Sequence, residues 1–329
     1  MLRLRSFAPI LLATLAVVAT ACPPAPVAGT PGDADPTIGE CPMMPADNYW
    51  HADVRSLPVH ARSAAWVTSL GRTSKFHTDF GSGEWEGAPI GFPYSVVGAG
   101  QAKVPISFYY PEDSDAGPYP LPFDAPVEGG SGSDGDRHVL TVDSSTCKLY
   151  EVFDARRGAS PTAAWSAGSG AVFDLRSNAM RPDTHTSADA AGLPILPGLV
   201  RYDEVASGHI DHAIRFTANR TSKAYVWPAK HQAGSTTDAD VPPMGAWFRL
   251  RADYPTAGLA PQAKVIVEAM KTHGIILADN GSSWFMSGTP DERWDNQSLA
   301  QVWRITGADM EAIDQSSLMV SANSGQVRG

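Results

Sequence analysis

Cysteine is scarce in this chain: there are three in 329 residues, at positions 22, 41 and 147, and none are spaced as a zinc site or a CxxC redox turn. HExxH, G-x-S-x-G, a Walker loop and a dinucleotide fingerprint are also missing. Their absence argues against zincin proteases, lipase-like esterases and nucleotide-dependent chemistry. Lys and Arg number 25 against 35 Asp and Glu, and no basic patch is interleaved with aromatics, so nucleic acid is an unsuitable partner. No internal repeat is visible. Nor is there an alternating E-x-D-x-x-E strand of the kind found in laminarinase-like jelly rolls.

What the chain does have is 30 Gly and 27 Pro beside 43% hydrophobic and 18% charged residues. That composition fits a turn-rich β protein with a real core. Residues 1–22 place Arg3 and Arg5 ahead of an apolar run of secretory length and then small residues, which reads as an export signal. Cys22 follows Val18-Ala19-Thr20-Ala21, close to a lipobox, although Ala19 stands where a larger aliphatic residue is usual. The expectation is lipidation at Cys22 and contact with the membrane only through that anchor; the alternative is cleavage near Ala21 and free secretion. Once Arg3 and Arg5 are removed, the mature chain carries a net charge near −12, which favours neutral or cationic partners. Cys41 and Cys147 then remain as one pair in an oxidising compartment, and a disulfide between them is expected, against the alternative of two buried thiols.

Residues 23–45 read as a flexible tether, 46–315 as one β-rich domain and 316–329 as a disordered tail. Strands are expected at Val104 to Tyr110, Arg137 to Asp143, Lys148 to Asp154, Ala171 to Leu175, Ile210 to Thr217, Lys223 to Pro228 and Ala246 to Asp253. The short turn DSSTC makes an antiparallel hairpin of the second and third, and Asn280-Gly281 predicts another between 275–279 and 282–286. EGGSGSDGD, ahead of the first hairpin, reads as a flexible linker. PQAKVIVEAMKTHG is the best helix, with Pro261 in its first turn and Gly274 at its end. The expected fold is mostly β, an antiparallel β-sandwich or jelly-roll-like domain with a few peripheral helices.

The segments GDRHVLTVDSSTCKLYEVFDAR, SADAAGLPILPGLVRYDEV, HAIRFT, YVWPAKH and KTHGIILADNGS together resemble a widespread group of uncharacterised exported bacterial proteins. The resemblance spans roughly Asn48 to Asp314. It implies a single secreted domain and transfers no catalytic residue.

Two polar stretches are candidate sites. His77, Asp79, Glu84 and Glu86 fall within ten positions beside Trp85 and Tyr94. In RPDTHTSADAAGLPILPGLVRYDEVASGHIDHAIRF, Asp189, Glu204, Asp211 and His212 surround a stiff Gly/Pro turn system. Breaking a glycosidic bond needs one protonated and one ionised carboxyl group flanking a sugar. The expectation is therefore a carbohydrate-active hydrolase on a polysaccharide or oligosaccharide, meeting the two stretches where they join. Asp79, Glu204, Asp211 and Asp189 are its candidate catalytic acids. His77, Glu86, Trp85, Tyr94 and His212 are candidate binding groups, and no cofactor is required. A non-catalytic carbohydrate-binding surface protein is the alternative. A further alternative is a metal-dependent enzyme, with a divalent ion held by at least three of His77, Asp79, His138, His209 and His212.

Overall fold

Asp143 closes the first hairpin by local chemistry. Its carboxylate accepts from the Ser145 backbone and from the hydroxyls of Ser145 and Thr146, holding the turn that the short polar run predicts. In the computed structural model, which describes residues 37–328, Cys147 at the end of that turn is bonded to Cys41, with 5.3 Å between their Cα atoms. The signal segment and Cys22 lie outside the described residues.

The chain is mostly strand with a few short helices. In order it runs through α1 (Ser63–Leu70), β1 (His77–Asp79), β2 (Glu84–Trp85), β3 (Ala88–Pro89), β4 (Tyr94–Val97) and β5 (Ile106–Phe108). Next come β6 (Val139–Asp143), β7 (Lys148–Phe153), β8 (Trp165–Ala167), β9 (Ser169–Asp174), α2 (Tyr202–Ser207), β10 (Ile214–Ala218) and β11 (Trp247–Leu250). The last elements are α3 (Pro261–Thr272), β12 (Ile275–Asn280), β13 (Phe285–Ser287), α4 (Asn296–Leu299) and β14 (Met310–Ala312). One sheet has the order β4-β6-β7-β9 and a larger one the order β1-β13-β10-β12-β11-β14.

Both large sheets are mixed, which departs from the antiparallel expectation. β10 runs parallel to β12, β1 to β13 and β4 to β6, while β6, β7 and β9 are antiparallel. The parallel pair β10–β12 is reached by a long crossover that contains β11 and α3, which is what parallel pairing needs. α3 itself follows the sequence: Pro261 opens it, Ile266, Ala269 and Met270 are buried, and Gly274 at φ 71 follows its end.

Asn280-Gly281 does not make the expected hairpin. β12 and β13 are not neighbours, because β10 lies between them and pairs with both. The connection passes over the end of β10, with Gly281 N–H bonded to Ala218 and Trp284 N–H to Thr217. Fully buried Trp284 stacks on Phe216 with centroids 5.6 Å apart. Burying an indole there outweighs a tight-turn preference worth far less.

Four further expectations change. β10 starts at Ile214, so Ile210 and His212 precede it, and Lys223 to Pro228 forms only isolated bridges. Residues 37–45, read as tether, are partly built into the body: Ile38 and Cys41 pair, and Met43 and Met44 are buried. The segment 316–328 is likewise ordered. Ser324 accepts from the Trp227 indole, Ala322 from Lys230, and Asn48 bridges Gln326. Backbone groups satisfied by side chains of the body act together with Leu318 and Val327, which pack against the core.

One continuous core holds Leu140, Leu149 and Phe173 of the smaller sheet together with Ile214, Phe216 and Leu277 of the larger. A second core covers the opposite face of the smaller sheet, where Val139 and Val152 meet Tyr119, Leu121 and Trp165. That sheet is therefore buried on both faces, which is how Glu151 of β7 comes to be fully enclosed.

Candidate functional site

β1 ends at the rim of a cavity of about 580 Å³ whose wall includes His77, Asp79, Trp85, Phe92, Glu128 and Trp303. This is the size range of small-molecule and glycan sites. Gly91, at φ +124, lies in the wall where an added Cβ would stand 2.6 Å from the Gly288 carbonyl, so only glycine fits this approach. β2 and β3 form a hairpin whose central residues, Glu86 and Gly87, have φ of 53 and 83. Such a turn lifts Trp85 out at 72% exposure.

Two carboxyl groups face this cavity in different electrostatic settings. Asp79 is open to the cavity, yet the protein surrounds it within the recess. Burial there pushes its pKa above the usual aspartate range, against the opposing pull of His77. Glu128 is desolvated too, but His138 Nδ1 donates to it at 2.5 Å. Burial is the largest single effect, but the charge of His138, its side-chain and backbone hydrogen bonds and the Arg215 charge together outweigh it, and the Glu128 pKa falls below its ordinary value. The other His138 nitrogen, Nε2, donates to the Ala188 carbonyl at 3.0 Å. With both ring nitrogens facing acceptors, the ring must carry two protons. Although burial opposes the charge, Glu128 raises the His138 pKa to about 9.

Behind the floor lies a buried ion network. Arg215 of β10 holds Asp189 through two bonds of 2.8 Å, reaches Asp279 at 3.2 Å and donates to Ser287 at 2.7 Å. Its guanidinium lies 5.1 Å from the centroid of Phe92, a wall residue. Ser287 is the register partner of Asp79, so the network backs directly onto the site. Burial, together with the neighbouring Asp189 charge, lifts the Asp279 pKa to about 8. One arginine thus bridges two aspartates. Glu151 belongs to the same interior and accepts the backbone N–H groups of Ile195 and Leu196 at 2.9 Å.

Of the sequence-predicted residues, His77, Asp79 and Trp85 line the cavity together. Glu86 occupies its hairpin turn, exposed, and Tyr94 is half-buried on β4, outside the cavity lining. Asp189 is buried under Arg215 and shows no side-chain surface to solvent. Glu204, Asp211 and His212 are carried elsewhere. Glu204 pairs with Arg201 and, at 3.2 Å, with His212, while half-buried Asp211 lies 3.4 Å from His209 beside a separate recess. The reason is local: the short helix α2, ended by Gly208 at φ 100, turns the chain away before β10 begins. The five proposed metal ligands are dispersed among these places, and no group of three or more His, Cys, Asp or Glu among the described residues could hold a metal ion.

Glu128 is the cavity acid that the local sequence pattern does not single out. It opens the run read as a flexible linker. That run is in fact clamped, with the Arg137 guanidinium donating to the carbonyls of Gly130, Ser131 and Ser133. An acid placed directly before Gly-Gly, ten residues from a histidine, was the available signal.

Comparison with protein-family models, with curated proteins and with solved structures yields no match.

Proposed function

We propose that this protein is a glycoside hydrolase, exported and lipid-anchored through Cys22, that cleaves a polysaccharide with Asp79 as general acid and Glu128 as the ionised carboxylate. The observation that carries the reading is the pair itself: two carboxyl groups on one cavity wall, with environments that push their pKa values in opposite directions. Glycosidic cleavage requires this division of roles. His138 acts as a positioning residue that keeps Glu128 charged. The Cys41–Cys147 disulfide supports export. The shared core of the two larger sheets supports a β-sandwich architecture.

The test is release of reducing ends from a polysaccharide panel by the mature chain, with and without chelator. Activity that survives chelation and falls by about 10²–10⁴ in both Asp79→Asn and Glu128→Gln is expected. Equal activity in these variants would remove the mechanism, and loss of activity with chelator would favour a metal enzyme. Exposed Trp85 favours the second reading, a binding protein without catalysis. Oligosaccharide binding with no hydrolysis would establish it.

A further inference from the structure

The cavity wall carries two acids, one histidine and, among the described residues, no lysine or arginine. Arg215 lies behind Phe92 and is committed to Asp189, Asp279 and Ser287. A polymer bearing carboxylate or sulfate groups would bring like charge against Glu128, and the His138 imidazolium beside it is buried and already bonded to Glu128 and Ala188. Burial keeps the one histidine, His77, below its ordinary pKa, so it offers no fixed positive charge.

The aromatic side chains supply the attractive part. Trp303 is held rigidly: its indole N–H donates to Thr78 Oγ1 at 3.0 Å and its ring stacks on His77, 4.8 Å and 18° away. His77 in turn stacks on Phe285 at 4.5 Å and 21°. This three-ring pile leaves Trp303 39% exposed beside the cavity, and the hairpin-borne Trp85 stands 72% exposed on the same lining. A fixed indole with a wet outer surface suits the C–H face of a sugar ring, and pre-organisation means that little entropy is lost on binding. Asp79 and Glu128 then meet hydroxyl groups, which donate to carboxylates without requiring a cation.

We infer that the cavity accepts an uncharged polysaccharide, with one pyranose ring stacked on Trp303 and the chain flanked by Trp85. The inference rests on the hydrolase reading for the identity of the site and adds the substrate class and the residues that select it.

The experiment is titration of the full mature chain, carrying Asp79→Asn to prevent turnover, with neutral oligosaccharides of glucose, xylose, mannose and N-acetylglucosamine. Oligogalacturonate and hyaluronan fragments serve as anionic counterparts, and glucosamine oligomers as the cationic one. A neutral oligosaccharide is expected to bind and to quench tryptophan fluorescence, with little change from low to high salt. Trp85→Ala and Trp303→Ala should each weaken binding by about tenfold, roughly 1.4 kcal/mol, and Trp303→Phe should retain most of it. Trp85 is exposed on a turn, so its variant tests the site without endangering the fold.

Tighter binding of a charged oligosaccharide, unchanged affinity in both alanine variants, or no binding of any neutral member would overturn the inference. The two readings fail separately. Neutral binding with no reducing ends from the wild-type chain removes the hydrolase and keeps the glycan class, whereas cleavage of a polyanion does the reverse.

Discussion

Glu151 provides a test of the interior that supports the site. It is fully buried on β7, and its carboxyl oxygens accept the N–H groups of Ile195 and Leu196 at 2.9 Å, fixing the Gly/Pro segment that follows Asp189. Burial raises its pKa from 4.5 to about 7 despite those bonds. Because the folded value is raised, the native state holds more protons than the unfolded state between these limits, so stability declines as pH rises through this window. The contribution of this single group is about 3 kcal/mol, at 1.36 kcal/mol per pKa unit. Glu151→Gln stays neutral and keeps Oε1, which already receives both N–H groups. Relative to wild type, it should therefore gain about 3 kcal/mol in going from pH 4.5 to pH 8. Glu151→Ala leaves two buried N–H groups unpaired, at about 1–3 kcal/mol each, and should lose stability at every pH. Urea unfolding followed by tryptophan fluorescence, with the disulfide intact, measures both. Parallel pH dependence in wild type and Glu151→Gln would refute the reasoning.

Three other outcomes follow from the same chemistry. The pH profile of hydrolysis should be bell-shaped, with its acid limb set by Glu128 and its alkaline limb by Asp79. His138→Gln removes the charge that holds Glu128 ionised, so the acid limb of kcat/KM should move to higher pH while the alkaline limb stays. A purely structural role for His138 would lower activity without moving either limb. Replacing Cys41 and Cys147 together by Ser opens a cross-link spanning 106 residues. Chain entropy assigns such a link about 4–5 kcal/mol, and a Tm unchanged in the double variant would contradict it.

Legibility in the sequence followed the range of the interaction. The 143–148 turn and α3 with Pro261 and Gly274 were readable because the deciding atoms lie within a few residues of one another. Cys41–Cys147 was readable by elimination, since no other partner remained after Cys22. That Asp79, His77 and Trp85 share one cavity wall was readable because they are close in sequence as well as in space.

The chain alone thus determined a strand-rich composition, its local turns and caps, one disulfide and half of a carboxylate pair. The tertiary structure decided the rest. It chose β10 over the Asn280-Gly281 turn as the partner of β12 and β13, because burying Trp284 is worth more than a local turn. It also set Glu128, from a distant segment of the chain, on the same cavity wall as Asp79 and kept it bonded to His138. Finally, it sealed Asp189 under Arg215 and moved Glu204 and Asp211 away. Which carboxylates share a cavity depends on strand order and burial, and those are fixed only when the sheets assemble.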